Sequence, residues 1–186
     1  QLSIPSRYLV LLPYSRHVGI SARIEDDAER TRLKQTLESV IAVEGATTGF
    51  IVRTAGEGAS EEALRADVQF LMKLWDSIRR SAKDAPKASM VYGDLPMVMR
   101  ILRDLMGTDV DRVRIDSAES YERVVRFARR FIPEASDRIE LYDGEGPIFD
   151  LYSGEDEINR ALDRQVRRTS GAALISDHTR AMTPAL

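Results

Sequence analysis

The chain has 186 residues, of which 43% are hydrophobic and 31% are charged, enough to bury the core of one ordinary domain or two small ones. Its formal net charge of −3 excludes a strongly basic nucleic-acid coat and leaves room only for a local basic patch. It contains no cysteine, which excludes disulfides, a thiolate nucleophile and cysteine-ligated zinc, and its two histidines argue against a histidine-rich metal site.

The sequence carries no targeting or membrane signal. No apolar run reaches the ~18 residues of a transmembrane helix, so no membrane span is predicted. The first residues, Gln1–Pro5, are neither a signal peptide nor an initiator-methionine start. We therefore expect a cytoplasmic protein or an interior piece of one.

The first half of the chain predicts short strands and two long amphipathic helices. Apolar runs at Tyr8–Leu12 and Phe50–Val52 are typical of buried strands. Apolar residues on one helical face predict a helix over 26–41, and a longer apolar stripe predicts a second helix over 60–82. The polar, proline-containing stretch 83–88 that follows is the best candidate for a domain boundary.

The second half predicts shorter elements of the same two kinds. Strands are predicted at 90–92, 113–116, 139–142 and 172–176, and helices after Asp94, after Ser117 and over 153–163. Gly107 is expected to stop the first of these helices. Because strands and helices alternate almost throughout, the sequence predicts an α/β fold.

The stretch Gly49–Gly58 combines a buried strand, a glycine-containing turn and the approach to a helix. Arg53 and Thr54 lie where the strand ends, and Ser60 is a candidate N-cap for the helix. A guanidinium fork, a hydroxyl and the free N–H groups of a helix N-terminus can together hold a phosphate. The alternative is that Arg53 is a surface arginine beside an ordinary loop. Judged from this stretch alone, that alternative is favoured. The Gly-Lys-Ser/Thr ending of a Walker-type loop is absent.

Two arginine clusters and three acidic residues are further candidates. The clusters consist of Arg123, Arg126, Arg129 and Arg130, and of Arg160, Arg164, Arg167 and Arg168. Either cluster could meet RNA phosphate, but acidic residues on the same helices favour solvated faces with ion pairs. Asp116, Asp150 and Asp177 lie near predicted strand ends and could bind metal only if the fold brings them together; the alternative is that they cap and terminate elements.

Seven segments together resemble the ribonuclease E/G endoribonucleases, with the ribonuclease G branch the nearest. They occur in the family's order and at similar spacing over essentially the whole chain. The segments are Pro5–Pro13, His17–Glu25, Phe50–Ala55, Ile115–Ser117, Pro147–Leu151, Glu157–Leu162, and Ser170–Gly171 with Asp177–Thr179. Each segment alone is a weak signal, and the set is a strong one.

The resemblance implies that the chain is an interior piece of an enzyme in which an S1 RNA-binding domain comes before Gln1. It implies a 5′-sensor subdomain over 1–93 and an RNase-H-like subdomain, without RNase H catalysis, over 94–161. The first strand of a truncated DNase-I-like catalytic subdomain would lie in 162–186. The expected fold class is α/β with the subdomains in this order, and the full-length enzyme is expected to be a homo-oligomer.

The resemblance also assigns binding residues. The family's sensor holds the 5′-monophosphate of single-stranded RNA with an Arg-Thr pair, which maps onto Arg53 and Thr54. A backbone contact from the first strand region maps onto Val10. With the resemblance, the phosphate interpretation of this stretch becomes the favoured one, and Mg²⁺ is the implied cofactor of the full-length enzyme.

The sequence departs from the family near its C-terminus. Arg180 stands where the family usually has glutamate, Leu186 stands at about the place of the first Mg²⁺-binding aspartate, and the two-residue glycine step reads Gly171–Ala172. The family's second metal aspartate and its Cys-x-x-Cys zinc link are also absent. We therefore expect no catalytic residue, metal ligand or bound Mg²⁺ in this chain, and no RNA cleavage by the chain alone.

Three functions of different classes follow. The first is part of an Mg²⁺-dependent, single-strand-specific endoribonuclease of RNA processing and decay, to which the chain contributes 5′-monophosphate recognition. The second is a stand-alone RNA- or phosphate-binding module without catalysis. The third is a scaffold or oligomerisation piece whose arginine faces meet protein. The last would be favoured if replacing Arg53 and Thr54 by alanine left RNA binding unchanged while the chain still self-associated.

Overall fold

The two apolar runs predicted in the first half form the central strands of a four-stranded sheet in the computed structural model, which describes residues 2–106 and 110–177. Its strands are β1 (Ile4–Pro5), β2 (Leu9–Leu12), β3 (Val18–Ile20) and β4 (Gly49–Val52), in the order β1-β2-β4-β3. β2 pairs antiparallel with both β1 and β4, whereas β3 pairs parallel with β4. The mixed α/β class predicted from the sequence is thereby confirmed.

The strand directions bring three chain segments to one edge of the sheet. Ile20 and Val52 lie opposite each other at the ends of the parallel strands β3 and β4. Leu9, the first residue of antiparallel β2, also lies opposite Val52. The residues that follow β3 and β4 and those that precede β2 are therefore neighbours in space, although up to 45 positions separate them in the sequence.

Two long helices cover this sheet and bury its core. α1 (Asp27–Glu44) packs against β3, and α2 (Glu61–Asp84) packs against β2 and against α1. The side chains of Asp26 and Ser60 accept hydrogen bonds from the first turns of α1 and α2, which confirms Ser60 as an N-cap. The fully buried residues are almost all aliphatic and occur at helical spacing on both helices: Leu33, Leu37, Val40, Leu64, Val68 and Leu71.

A charged cluster on α1 fixes the turn that leads into α2. The Glu29 carboxylate accepts hydrogen bonds from Arg32 at 2.7 Å and from the backbone N–H of Gly58 at 2.8 Å. Arg32 also donates to the carbonyl of Ala59 at 3.1 Å. Gly58 has a positive φ of 72°, which suits glycine, so the turn depends on both backbone freedom and these contacts. The Arg32 guanidinium and the Gly58 N–H together lower the pKa of Glu29 from 4.5 to about 2.

We expect Glu29→Gln to remove a pH-dependent part of the stability. Because the pKa of Glu29 is lower in the folded than in the unfolded chain, its contribution is complete above pH 4.5 and is lost as the pH falls to about 2. The difference in unfolding free energy between the two proteins should therefore shrink over that interval, measured by urea unfolding at several pH values. Glu38→Gln, at an exposed position of the same helix, is the matched control. A difference that stays constant between these pH values would contradict the assignment.

Helix α4 (Ala118–Phe131) extends the core through aromatic contacts with α2. Phe70 of α2 lies 6.2 Å from Phe127 and 5.9 Å from Phe131 between ring centroids. Both contacts are edge-to-face, an arrangement that aromatic rings favour. α3 (Met97–Leu105) lies between α2 and α4 in the sequence. Two short strands, β5 (Val113–Ile115) and β6 (Ile139–Leu141), pair as a separate sheet.

The described residues divide into two compact units. One takes in residues within 1–113 and 119–140, and the other takes in residues within 114–118 and 141–177. The second unit contains α5 (Gly154–Leu162) and an antiparallel pair of strands, β7 (Gln165–Arg167) and β8 (Ala173–Ile175). The subdomain boundaries expected at 93/94 and 161/162 stay predictions.

Two local predictions of the second half are corrected, and one strand was not predicted. No strand forms at 90–92; Met90 is 87% exposed there, because a short apolar run becomes a strand only where a neighbouring strand supplies hydrogen bonds. The helix expected to be capped by Asp94 begins at Met97, with Pro96 at its N-cap position. β7 was not predicted, because it contains one apolar residue between two polar ones and so shows no apolar run. Gly107, the expected helix stop, lies outside the described residues.

None of the described helices combines the length and the apolar character needed to cross a membrane.

Candidate functional site

The sheet edge where β3 and β4 end carries the residues singled out in the sequence. The N–H of Ser21, just after β3, donates to the carbonyl of Val52 at 2.8 Å and so extends the parallel pairing. The hydroxyls of Ser21 and Thr54 then lie 3.2 Å apart, within hydrogen-bond distance. Parallel pairing therefore brings together two hydroxyls from segments 33 residues apart.

Arg53 is held by its backbone and by its side chain against the turn between β1 and β2. Its N–H donates to the carbonyl of Tyr8 at 2.8 Å, and its guanidinium donates to the carbonyl of Ser6. A guanidinium has five N–H donors, so this bond leaves donors for another acceptor. Arg53 is exposed, and among the described residues no carboxylate forms an ion pair with it.

Both predicted residues line one open depression of about 430 Å³ on this sheet edge. Its lining residues are Ser21, Arg23, Ile51, Val52, Arg53, Thr54 and Ala55. Ser21 and Arg23 were not among the predicted site residues. The signal that could have found them is the His17–Glu25 segment, which contains β3, the strand that pairs parallel with β4, and continues past its end.

The segment that carries Ser21 and Arg23 is held by hydrogen bonds from α1. The guanidinium of Arg30 donates to the carbonyl of Ser21 at 2.7 Å and to that of Ile24 at 3.0 Å. Ile24 is itself buried, with 1% of its surface exposed. The backbone that presents Ser21 and Arg23 is therefore held in place without any ligand.

Val10 occupies a different place from Arg53 and Thr54. It lies in the middle of β2, opposite Pro5 on one side and Ile51 on the other. Ile51 lines the depression, but Val10 is not one of its lining residues. The backbone contact expected of Val10 stays a prediction.

The helix N-terminus expected at this site lies elsewhere. Between Arg53 and α2 come a single 3₁₀ turn, Thr54–Gly56, and the glycine turn that Glu29 holds. α2 contributes no residue to the lining of the depression, and its first turn is acidic. The free N–H groups of α2 are therefore not part of the site, which depends on side chains instead.

The residues that line the depression include donors suited to an anion. Two arginines, a serine and a threonine are among them, and no carboxylate residue is. Guanidiniums and hydroxyls donate hydrogen bonds to phosphate oxygens, and the paired N–H groups of arginine fit two oxygens of one phosphate. Nothing in this group can act as a nucleophile–base pair, so the arrangement supports binding rather than bond cleavage.

The other candidates differ from this depression. Arg126 and Arg129 of the first arginine cluster line a separate open depression of about 340 Å³, but Glu122 lines it with them. Among residues 2–106 and 110–177, no group of three or more histidine or acidic side chains lies together as metal ligands. Asp177 instead forms an ion pair with Arg164 at 2.7 Å. Arg160 pairs with Glu157 at 3.0 Å, as expected for a solvated helix face. The departures from the family pattern at Arg180 and Leu186 lie outside the described residues.

Comparison with known proteins gives one consistent result. The model of the ribonuclease E/G family matches residues 3–184. Ribonuclease G of Salmonella typhimurium (strain SL1344) is 43% identical over 182 residues, which cover 98% of this chain and 37% of that protein. Ribonuclease G of Haemophilus influenzae is 46% identical over 98% of this chain and 36% of its own length. Ribonuclease E of Escherichia coli (strain K12) is 39% identical over 98% of this chain and 17% of its own. The chain thus spans about a third of the ribonuclease G relatives.

Proposed function

Because the chain belongs to the ribonuclease E/G family, we propose that it is part of an endoribonuclease of RNA processing and decay and supplies recognition of an RNA 5′-monophosphate. The observation that carries the proposal is the convergence of Arg53, Arg23, Thr54 and Ser21 around one depression that no carboxylate lines. Single-stranded RNA ending in a 5′-monophosphate is the proposed partner.

A 5′-monophosphate matches this arrangement in charge and in donor count. Its terminal oxygens are acceptors, and the donors left on Arg53 can engage two of them side by side. The Thr54 hydroxyl, adjacent in the chain, can donate to a third oxygen, while Arg23 approaches from the neighbouring strand end. A 5′-hydroxyl end has no such charge to offer, so the site distinguishes the two ends by electrostatics and hydrogen bonding rather than by base sequence.

The remaining family properties are proposals for the complete protein. They comprise the order of sensor, RNase-H-like and DNase-I-like subdomains, Mg²⁺-dependent cleavage, homo-oligomerisation and a cytoplasmic location. Among residues 2–106 and 110–177, no group of three or more acidic or histidine side chains lies together. With arginine at 180 and leucine at 186, we propose that this chain alone does not cut RNA.

The test is a comparison of two RNAs that differ in one phosphate. A short single-stranded RNA is prepared with a 5′-monophosphate and with a 5′-hydroxyl, and the dissociation constants are measured at one fixed salt concentration, because phosphate contacts depend strongly on salt. Hydrogen bonds to charged groups contribute about 1.5–3 kcal/mol, so we expect the monophosphate to bind about 10- to 150-fold more tightly.

As a control, both RNAs are incubated with the protein and Mg²⁺ and then separated on a gel. Intact RNA on the gel shows that the dissociation constants report binding and not cleavage. Equal dissociation constants for the two RNAs would contradict 5′-end recognition. Binding that is tight but independent of the 5′ end would favour a general RNA-binding module instead.

A further inference from the structure

Asp67 is a buried carboxylate whose hydrogen bonds all go to one turn. It lies on α2 with 7% of its surface exposed, among residues that are otherwise apolar. It accepts hydrogen bonds from the Ser6 hydroxyl at 2.6 Å and from the N–H groups of Tyr8 and Leu9 at 2.8 and 2.9 Å. These three hydrogen bonds fix the turn against Asp67. Any movement of the turn would leave the buried carboxylate and its donors without partners, which is costly.

The same turn holds Arg53 from its other side. The carbonyl of Ser6 accepts from the Arg53 guanidinium, and the carbonyl of Tyr8 accepts from the Arg53 N–H at 2.8 Å. Ser6 thus donates to Asp67 through its hydroxyl and accepts from Arg53 through its carbonyl. Tyr8 does the same with its N–H and its carbonyl. Ser6 therefore connects the buried carboxylate to the exposed guanidinium, and Tyr8 connects it to the backbone N–H of Arg53.

A second charged side chain, largely buried, contacts the residue just before the turn. Arg103 of α3 has a side chain that is 7% exposed and donates to the carbonyl of Pro5 at 3.2 Å. Burial raises the pKa of Asp67, while the donors of Ser6, Tyr8 and Leu9 and the charge of Arg103 act in the opposite direction. Burial is the larger effect, so the pKa of Asp67 lies above its usual value, while the three donors hold the carboxyl group in one position.

We propose that Asp67 is a positioning residue for Arg53, acting through the Ser6–Tyr8 turn to hold the guanidinium ready for the phosphate. The inference rests on the proposed function and adds a residue, remote from the depression, on which its selectivity depends. If the turn shifts, the Ser6 carbonyl no longer fixes the guanidinium, and binding must order a long, mobile side chain. Ordering one such side chain costs a factor of about two to ten in affinity.

The test is Asp67→Asn, which keeps the shape but replaces one acceptor by an NH₂ group that faces donors. Two readouts are taken on the same protein. The first is the NMR signal of the Arg53 Nε–H group, assigned by its loss in Arg53→Lys, which reports the guanidinium without any RNA. The second is the ratio of dissociation constants for 5′-hydroxyl and 5′-monophosphate RNA. Asp76→Asn, at an exposed position of α2, is the matched control.

We expect Asp67→Asn to shift or broaden the Arg53 signal and to reduce the RNA ratio by about two- to tenfold, while Asp76→Asn leaves both as in the wild type. Ser6→Ala, which removes only the 2.6 Å contact, should cause a smaller change in the same direction and decides the matter if Asp67→Asn fails to fold. An unchanged Arg53 signal in a folded variant would overturn the inference. If the wild type shows no 5′-end preference, the proposed function is wrong, and the Arg53 signal still decides whether Asp67 positions Arg53.

Discussion

Replacing Arg53 by alanine should raise the dissociation constant for a 5′-monophosphorylated RNA by about 10- to 150-fold, since hydrogen bonds to charged groups contribute about 1.5–3 kcal/mol. The dissociation constant for the matching 5′-hydroxyl RNA should stay nearly the same, because Arg53 acts on the terminal phosphate. Arg53 is exposed and terminates a strand, so the substitution leaves the core intact and circular dichroism should show an unchanged fold. The measurement is the pair of dissociation constants at fixed salt, for wild type and variant.

Two further variants separate the parts of this effect. Arg53→Lys keeps the charge but loses the planar pair of donors, so it should restore only a fraction of the preference. Thr54→Val keeps the shape and removes the hydroxyl that lies 3.2 Å from Ser21, so its loss should be smaller than that of Arg53→Ala. An Arg53→Ala variant that weakens both RNAs equally would show that the arginine contacts RNA in general rather than its 5′ end.

Phe50→Ala should lower the free energy of unfolding by about 3–5 kcal/mol. Phe50 is one of the largest fully buried side chains and belongs to β4, opposite Leu11 of β2 and Val18 of β3. Its removal leaves a cavity in the middle of the sheet that close-packed neighbours cannot fill. A loss of this size is a large part of the roughly 5–15 kcal/mol typical of a domain, and urea unfolding measures it directly.

Val43→Ala is the control for this prediction. Val43 lies on α1 but is 66% exposed, so its truncation should change the free energy of unfolding by no more than about 0.5 kcal/mol. If Phe50→Ala also cost so little, β4 would not be the centre of the core, and the placement of Arg53 at its end would have to be reconsidered. The slope of the unfolding free energy against urea concentration should be the same for both variants. A changed slope would indicate that the substitution altered the unfolded state.

Strong periodic patterns made the first half of the fold predictable. The stripes of α1 and α2 place an aliphatic residue on the core side at almost every turn, and the observed helices extend the predicted ones by only a few residues. The position of Arg53 and Thr54 just after a strand was predictable because the short apolar run Phe50–Val52 ends there. The 90–92 run has the same local character and forms no strand, since strand formation depends on a partner that local sequence does not specify.

The rest of the site depends on pairings that connect distant segments. Ser21 and Arg23 line the same depression as Thr54 only because β3 pairs parallel with β4 in one register, which no local pattern reveals. Asp67 was missed for a different reason. From the sequence alone, an aspartate on an amphipathic helix is expected to be exposed to solvent. Its burial becomes understandable only once Ser6, Tyr8 and Leu9 are known to donate hydrogen bonds to it.

The assembly of the depression from segments far apart has a consequence for synthesis on the ribosome. The turn at Ser6–Tyr8 is made first, Ser21 follows, Arg53 comes much later, and Asp67 lies later still on α2. Contacts between such remote residues close only after the intervening chain exists, and their closure is slow compared with local helix formation. We therefore expect the sheet edge and its depression to become organised on the nascent chain only after most of α2 has left the exit tunnel.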